Sequence, residues 1–416
     1  FAVPAFAQQT TTTPATDTST TTGTDTLAGL KLQNPAAPLP TLTYSRSGSA
    51  PSRPGAFRLE PVDIFPVLTV GMGRNDNVSG TATNPVSSSF LSVSPQIRAV
   101  ARKGAGVYTL SYAGQYDKFS QSSIDNANQH ELDFTAHNQL TGHADVDLQA
   151  FYMRKVDPRG TITRAVPTGP DEWNNTGLRG QFGYGATGAK GRIEVEAGVG
   201  SKRYQNNRTF TEALDVDTST VAGRFLYRVA PKTQLLFELK QNENDYKTNK
   251  GADSTTTTAS VGARWKLTGS TNGYFTVGRS KTDLKNQSND ERSKTVWDLG
   301  VSWAPRTYSS VAISAGRATS GASGISSTSV DTNFAASWQH SWSNRVSTNL
   351  TISSLKRDYT GTSRSDRSDS ISLGAYYDLR RWMRVGVEAV KQKRDSSDPN
   401  FNFTRNGVFL SVGISY

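Results

Sequence analysis

From about residue 61 to the end of the chain, apolar and polar positions alternate with a period of two. Successive side chains of a strand point to opposite faces, so this period predicts strands and not helices. Tyr108, Leu110, Tyr112 and Tyr116 fall on one parity, with Thr109, Ser111, Gln115 and Asp117 on the other. Leu132, Phe134 and Ala136 alternate with Glu131, Asp133 and Thr135, and Ile193, Val195, Ala197 and Val199 with Arg192, Glu194 and Glu196. The expected strands are 61–75, 89–102, 107–119, 129–140, 144–156, 173–186, 191–204, 217–229, 233–246, 255–267, 272–284, 292–303, 307–318, 328–340, 345–357, 367–378, 383–394 and 402–416, eighteen in all.

The connections alternate as well. Tight turns at 103–106, 140–143, 187–191, 230–232, 268–272, 304–306, 341–344 and 379–382 follow the even strands, and mostly longer polar links such as 76–88, 157–172 and 205–216 follow the odd ones. Short turns at one end and long loops at the other are the asymmetry of a transmembrane up-and-down β-barrel in the bacterial outer membrane, with the short turns and both termini on the periplasmic side. Trp265, Trp303, Trp342 and Trp382, with Tyr227, Tyr308 and Tyr416, lie near the short turns; Tyr116, Tyr152, Trp173, Tyr204, Tyr246 and Tyr359 lie toward the long loops. They are expected as two aromatic belts at the lipid interfaces.

Composition fits this reading. The apolar fraction is 35 %, low for a chain of 416 residues with a conventional packed core. A barrel that turns every second residue toward lipid keeps its average hydropathy low. No apolar run approaches the roughly 18 residues of a membrane-crossing helix. Without a single cysteine, disulfides, thiol catalysis and Cys-ligated metals are excluded. Residues 1–7 read as the remnant of a secretory signal ending in Ala5-Phe6-Ala7, and 8–56, rich in Thr, Ser and Pro, as a disordered periplasmic segment, leaving 57–416 for the barrel.

An eighteen-stranded barrel is too wide for side chains alone to fill, so its interior is expected to be a water-filled channel. The parity assigned inward carries Arg98, Arg102, Arg179, Arg192, Glu194, Arg224, Arg228, Arg264, Lys266 and Arg384 as candidates for the solute path, with Gln96, Gln181, Glu196, Glu238, Lys240, Asp298 and Glu388. Charges of both signs on adjacent strands pair and stabilise the wall, or else tune selectivity. At the short turns Lys103, Lys190, Lys232, Arg306, Arg345, Arg380 and Arg381 form a basic rim, joined by Arg102, Arg192, Arg228, Lys266 and Arg384 against Asp378. Such a rim concentrates anions at an entrance or binds phospholipid headgroups; the sequence leaves both readings open. The net charge of +11 is dispersed among acids and does not indicate nucleic acid. Four scattered histidines, His130, His137, His143 and His340, make no metal cluster, and no motif selects a catalytic serine, so neither an enzyme nor a cofactor is expected. The glycines of VGMGRN and GYGATGAKG precede no helix and are strand and turn glycines.

The ending GVFLSVGISY resembles the C-terminal signature of bacterial outer-membrane barrels. The stretch Gly73-Arg74-Asn75-Asp76-Asn77-Val78, followed by Ser92-Val93-Ser94-Pro95-Gln96-Ile97, resembles the outer-membrane β-barrel porin family found in capsule and exopolysaccharide gene clusters. The resemblance is strongest over 61–140 and looser to the C-terminus. It implies a wide barrel serving as the exit for a secreted polysaccharide, with periplasmic polysaccharide-export proteins, an anionic polysaccharide, outer-membrane lipids and lipopolysaccharide as partners. A general diffusion porin and a structural or adhesive barrel are the alternatives. Asp76 and Asn77 are expected to cap the first long loop, since Asn and Asp favour turns.

Overall fold

The computed structural model of the protein describes residues 50–51, 55–160, 169–186, 188–268, 270–285, 292–321 and 328–416. Residues 1–7 and most of 8–56, expected as signal remnant and disordered segment, lie outside the described residues. The strands are β1 (Phe57–Leu59), β2 (Val62–Asn75), β3 (Ser88–Lys103), β4 (Gly106–Phe119), β5 (Ala127–Gln139), β6 (Ala144–Asp157), β7 (Asp171–Tyr184), β8 (Gly191–Tyr204), β9 (Val216–Ala230), β10 (Thr233–Tyr246), β11 (Ser254–Thr268), β12 (Thr271–Leu284), β13 (Arg292–Arg306), β14 (Ser309–Ser320), β15 (Ser329–Ser341), β16 (Val346–Tyr359), β17 (Ser365–Arg380), β18 (Met383–Ser396) and β19 (Phe403–Ser415).

From β2 to β19 each strand pairs antiparallel with its chain neighbours, and β19 returns to β2 in the register Gly407↔Asn75 to Ser415↔Val67. The result is a closed eighteen-stranded barrel. All eighteen expected strands are present; the largest displacement is at the end of β13, at Arg306 instead of 303. The extra strand β1 pairs with Val62–Ile64, the part of β2 that β19 does not reach, and Phe57 stacks on Tyr416 with centroids 3.6 Å apart.

Parity decides what faces outward. Met72, Leu91, Leu178, Val221, Leu239, Leu373 and Leu410 are exposed apolar residues on the outer face. An apolar band of this extent is incompatible with water and matches a hydrocarbon surround. At the short-turn end Trp303, Trp342, Trp382, Tyr308 and Tyr416 are exposed as one belt requires. At the long-loop end only Tyr116 and Tyr152 of the expected second belt face outward. Trp173, Tyr204, Tyr246 and Tyr359 are buried within the bore, because they share parity with the inward Asp171, Lys202, Asn244 and Arg357.

The GRNDNV segment locks the seam. Asp76 accepts hydrogen bonds from the backbone N (2.6 Å) and Nδ2 (2.7 Å) of Asn406, and buried Asn77 donates through Nδ2 to the carbonyls of Thr81 and Thr404. Gly71 and Gly73 face inward where the rings of Phe409 and Phe90 lie against the wall; a Cβ on either would stand 2.4 Å from a ring carbon. The aromatic rings thus lie flat on the sheet and do not project across the bore.

Inward and outward positions at mid-height of β17 predict opposite tolerance to charge. Leu373→Lys, on the lipid side, is expected to destabilise the barrel folded in vesicles by about 2–4 kcal/mol. Its inward neighbour Ser372→Lys is expected to change it by less than about 1 kcal/mol. Denaturant titration in lipid vesicles compares the two, and equal costs would contradict the facing assigned here.

Candidate channel and its two mouths

The inward wall has two sectors. On β6–β11 it is charged. Arg192 holds Asp145 through two parallel contacts of 2.7 and 2.8 Å and Glu194 at 2.9 Å. Its guanidinium reaches from β8 to β6 across Gly183, whose missing side chain leaves the space: a Cβ there would lie 1.9 Å from the Arg192 Nη2. Arg224 sits between Glu196 (2.8 Å) and Glu238 (2.5 Å), and Arg179 pairs with Glu196 at 2.7 Å. These carboxylates and guanidiniums neutralise one another along the wall. Beneath their long side chains Ala222, Leu226 and Leu236 are fully covered. Arg264 is buried between Gln234 and Tyr274, and the Tyr274 hydroxyl donates to Asp298 at 2.9 Å. Arg228 and Lys266, on the inward parity of β9 and β11, are half-buried near the short-turn end.

The second sector is small and uncharged. One rung of hydrogen-bonded neighbours runs Gly300–Ser314–Ala335–Ser353–Ser370, and the next Ser302–Ala312–Ser337–Thr351–Ser372, across β13–β17. None of these ten inward residues is buried, although they lie near mid-height of the barrel. Solvent therefore reaches the wall here, where no side chain is larger than threonine. Flanking inward positions Asn272, Asn333 and Asn349 carry amide oxygens with no hydrogen-bond partner in the protein.

At the short-turn end the remaining predicted residues separate. Arg98 is exposed in the bore with its guanidinium over the Phe65 ring (4.8 Å), and exposed Arg102 lies 3.6 Å from Asp63. Arg384 is buried: it donates to the Ala50 carbonyl at 3.1 Å and to the Ser347 hydroxyl, and lies 3.5 Å from Asp378. Ala50, which precedes β1, thus lies against the inner wall at β18. Lys103, Lys190, Lys232, Arg306, Arg345, Arg380 and Arg381 are all exposed on the rim. Register places three of them on the lipid-facing parity. Lys103 continues the outward row of Ala99 and Ala101, and bulges put Arg306 opposite Ser309 and Arg380 opposite Met383.

The long-loop mouth is narrowed on one side. Arg405 of β19, 2 % exposed, donates through Nε to the Asn77 carbonyl (2.9 Å) and through Nη2 to the Arg159 carbonyl (2.9 Å). Arg394 of β18 donates to the Gly160 carbonyl (2.6 Å) and pairs with Asp366 (2.5 Å), which also receives Arg364 and the Tyr359 hydroxyl. The Arg159 side chain pairs with Asp125 in the β4–β5 loop. The link after β6 is thereby strapped to strands β18 and β19 on another part of the ring. No spacing in the sequence signals these contacts, which join residues 234 to 328 positions apart. The inward parity of Arg394 and Arg405 was the available hint.

A sequence model of the family described as "putative beta-barrel porin 2" matches residues 61–416. No curated protein matches the chain. Among solved structures, OccK2 (OpdF) of Pseudomonas aeruginosa is similar at 10 % identity, with 87 % of this chain and 100 % of that chain covered and a TM-score of 0.47. A BenF-like porin from Pseudomonas fluorescens Pf-5 gives 10 % identity, 86 % and 100 % coverage and a TM-score of 0.47. The siderophore receptor PirA from Acinetobacter baumannii gives 9 %, 85 % and 80 %, and 0.43.

Removing the strap's anchors is expected to loosen the mouth without opening the barrel. In Arg394→Ala/Arg405→Ala, each lost charge-assisted hydrogen bond is worth about 1.5–3 kcal/mol. Trypsin cleavage after Arg159 should then accelerate at least about tenfold, while the barrel keeps its heat-modifiable gel mobility. An unchanged cleavage rate would show that the strap is held by other contacts.

Proposed function

The chain belongs to the putative beta-barrel porin 2 family, and on that premise we propose that it is the outer-membrane exit for a secreted exopolysaccharide or capsular polysaccharide. The observation that carries this reading is the uncharged lane on β13–β17. Two adjacent rungs of Gly, Ala, Ser and Thr line the bore there, mostly with hydroxyls. A polymer that must slide needs many weak, interchangeable hydrogen bonds and no deep site. Neutral hydroxyls provide these, and each exchanges readily with water because its net contribution is only about 0.5–1.5 kcal/mol.

In this reading the short turns face the periplasm. Arg98 and Arg102, the exposed cations of the inner wall at that end, would meet an acidic polymer first, and periplasmic export proteins would deliver it. The outward register of Lys103, Arg306 and Arg380 favours contact with phospholipid headgroups over a ring aimed at the solute. The paired Arg179, Arg192, Glu194 and Arg224 act as wall. A second reading, a general diffusion porin for small solutes, is favoured by the same lane, since a wall without a deep site discriminates little.

Deleting the gene is expected to abolish secretion of one polysaccharide, and the wild-type chain to restore it. The cysteine-free background lets the lane be tested directly. Ser337→Cys should restore secretion until a membrane-impermeant, charged thiosulfonate is added, whereas Ala222→Cys, 1 % exposed, should remain insensitive. Unchanged secretion in the deletion strain would leave the small-solute porin as the function. Sensitivity at Ala222 but not Ser337 would place the path on the charged wall instead.

A further inference from the structure

Five arginines are buried among the described residues: Arg224, Arg264, Arg384, Arg394 and Arg405. Four of them have acceptors. Arg224 holds Glu196 and Glu238, Arg394 holds Asp366, and Arg384 and Arg405 donate to backbone carbonyls. Arg264, 5 % exposed on the inner wall of β11, has neither an ion pair nor a hydrogen bond among the described residues, and its Nε is enclosed. We infer that Arg264 is the docking point for the carboxylate of a uronic acid unit, carried by a glycan that lies in the uncharged lane. This rests on the lane being the solute path, and adds to it one residue that selects among solutes.

Register ties the residue to the lane. The rung that begins at Gly300 continues in the other direction through Tyr274 to Arg264, and from there to Gln234 and Arg228; the rung that begins at Ser302 continues through Asn272 to Lys266. Each rung of the lane therefore ends at a cation on β11. Two strand spacings, about 10 Å, separate the backbones of Arg264 and Gly300, a gap that the arginine side chain and one sugar ring bridge. The acids around Arg264 are committed elsewhere. Glu194 and Glu238, whose charges act on it, are held by Arg192 and Arg224, and Asp298 receives the Tyr274 hydroxyl. A guanidinium buried without a counter-charge is strongly destabilising, so a wall that needed only to pack would be more stable with a neutral residue at this position. Gln234, 7 % exposed and directly across the ladder, also makes no side-chain hydrogen bond among the described residues, which leaves an amide beside the guanidinium. The planar guanidinium offers two parallel N–H groups, the geometry that a carboxylate accepts. Arg228 and Lys266 have other partners, so one uncommitted cation stands at the lane's edge, and a singly charged group matches it.

The full chain, folded in detergent, is titrated calorimetrically with a trimer of galacturonic acid, with the methyl ester of the same trimer, and with a neutral glucose trimer. The free acid should bind at least about tenfold more tightly than either neutral trimer, and Arg264→Gln should lose at least about tenfold of that affinity, as expected for one charge-assisted bidentate contact. Arg179→Gln, the same charge change on the paired wall, should stay within about twofold of wild type, which separates a docking point from the general field of the lumen. Should Arg264→Gln not fold, as judged by heat-modifiable mobility, Arg264→Lys serves in its place; it keeps the charge, loses the fork, and should bind at least about threefold more weakly than wild type. Equal binding of the methyl ester, unchanged affinity in the Arg264 variant that folds, or an equal loss in Arg179→Gln would each overturn the assignment. No binding of the acid, with secretion still blocked at Ser337→Cys, would overturn the docking point and keep the lane. Binding lost in Arg264→Gln, with secretion insensitive at Ser337→Cys, would keep the carboxylate site and overturn the lane.

Discussion

Everything in this molecule depends on the sheet having no open edge. Within hydrocarbon a row of unpaired N–H and C=O groups has no water to satisfy it, so a sheet can cross only when its last strand returns to its first. Here the closing pair is β19 with β2, and the chain reinforces it in three places. Asp76 clamps Asn406 above the seam, Phe57 stacks on Tyr416 below it, and β1 pairs with the part of β2 that β19 leaves uncovered. Gly71 and Gly73, in the middle, let Phe409 and Phe90 cover the inner side of the joint without narrowing the bore.

Closure with eighteen strands creates a lumen, and the inner face divides it unequally. The charged sector of β6–β11 is thick: its guanidiniums and carboxylates pair with one another and cover the apolar residues behind them. At mid-height the β13–β17 sector is thin, with no side chain larger than threonine on its two rungs. The same contrast appears at the mouths. The strap from Arg159 and Gly160 to Arg394 and Arg405 is anchored on β18 and β19, and the chain before β1 reaches Arg384 on β18 at the opposite end. Both contacts fall on the β18–β19 side of the ring.

The fold was legible because its governing rule is local. A period of two, broken by Gly-, Pro- and Asn-containing turns, marks each strand without knowledge of its partner, and alternating loop lengths mark the ends. β1 was not legible, since three residues carry no period and their pairing follows from where β19 stops. The inward collar of Trp173, Tyr204, Tyr246 and Tyr359 was legible in principle. Its residues share the parity of polar neighbours such as Asp171, and position near a strand end outweighed that parity in assigning them to a lipid belt. The partners of Arg384, Arg394 and Arg405 are backbone carbonyls far along the chain, which no residue type announces. The charges expected in the lumen lie on the wall, but which are neutralised depends on register two strands away, as Arg192 reaching Asp145 across Gly183 illustrates.

Single-channel recording in planar bilayers, with water-soluble polymers of graded size added to one side, tests the central claim of a continuous aqueous bore most directly. The account predicts long-lived ohmic steps whose amplitude falls with polymers small enough to enter and is untouched by larger ones. Insertion without any conductance, in a chain shown to be folded, would contradict it.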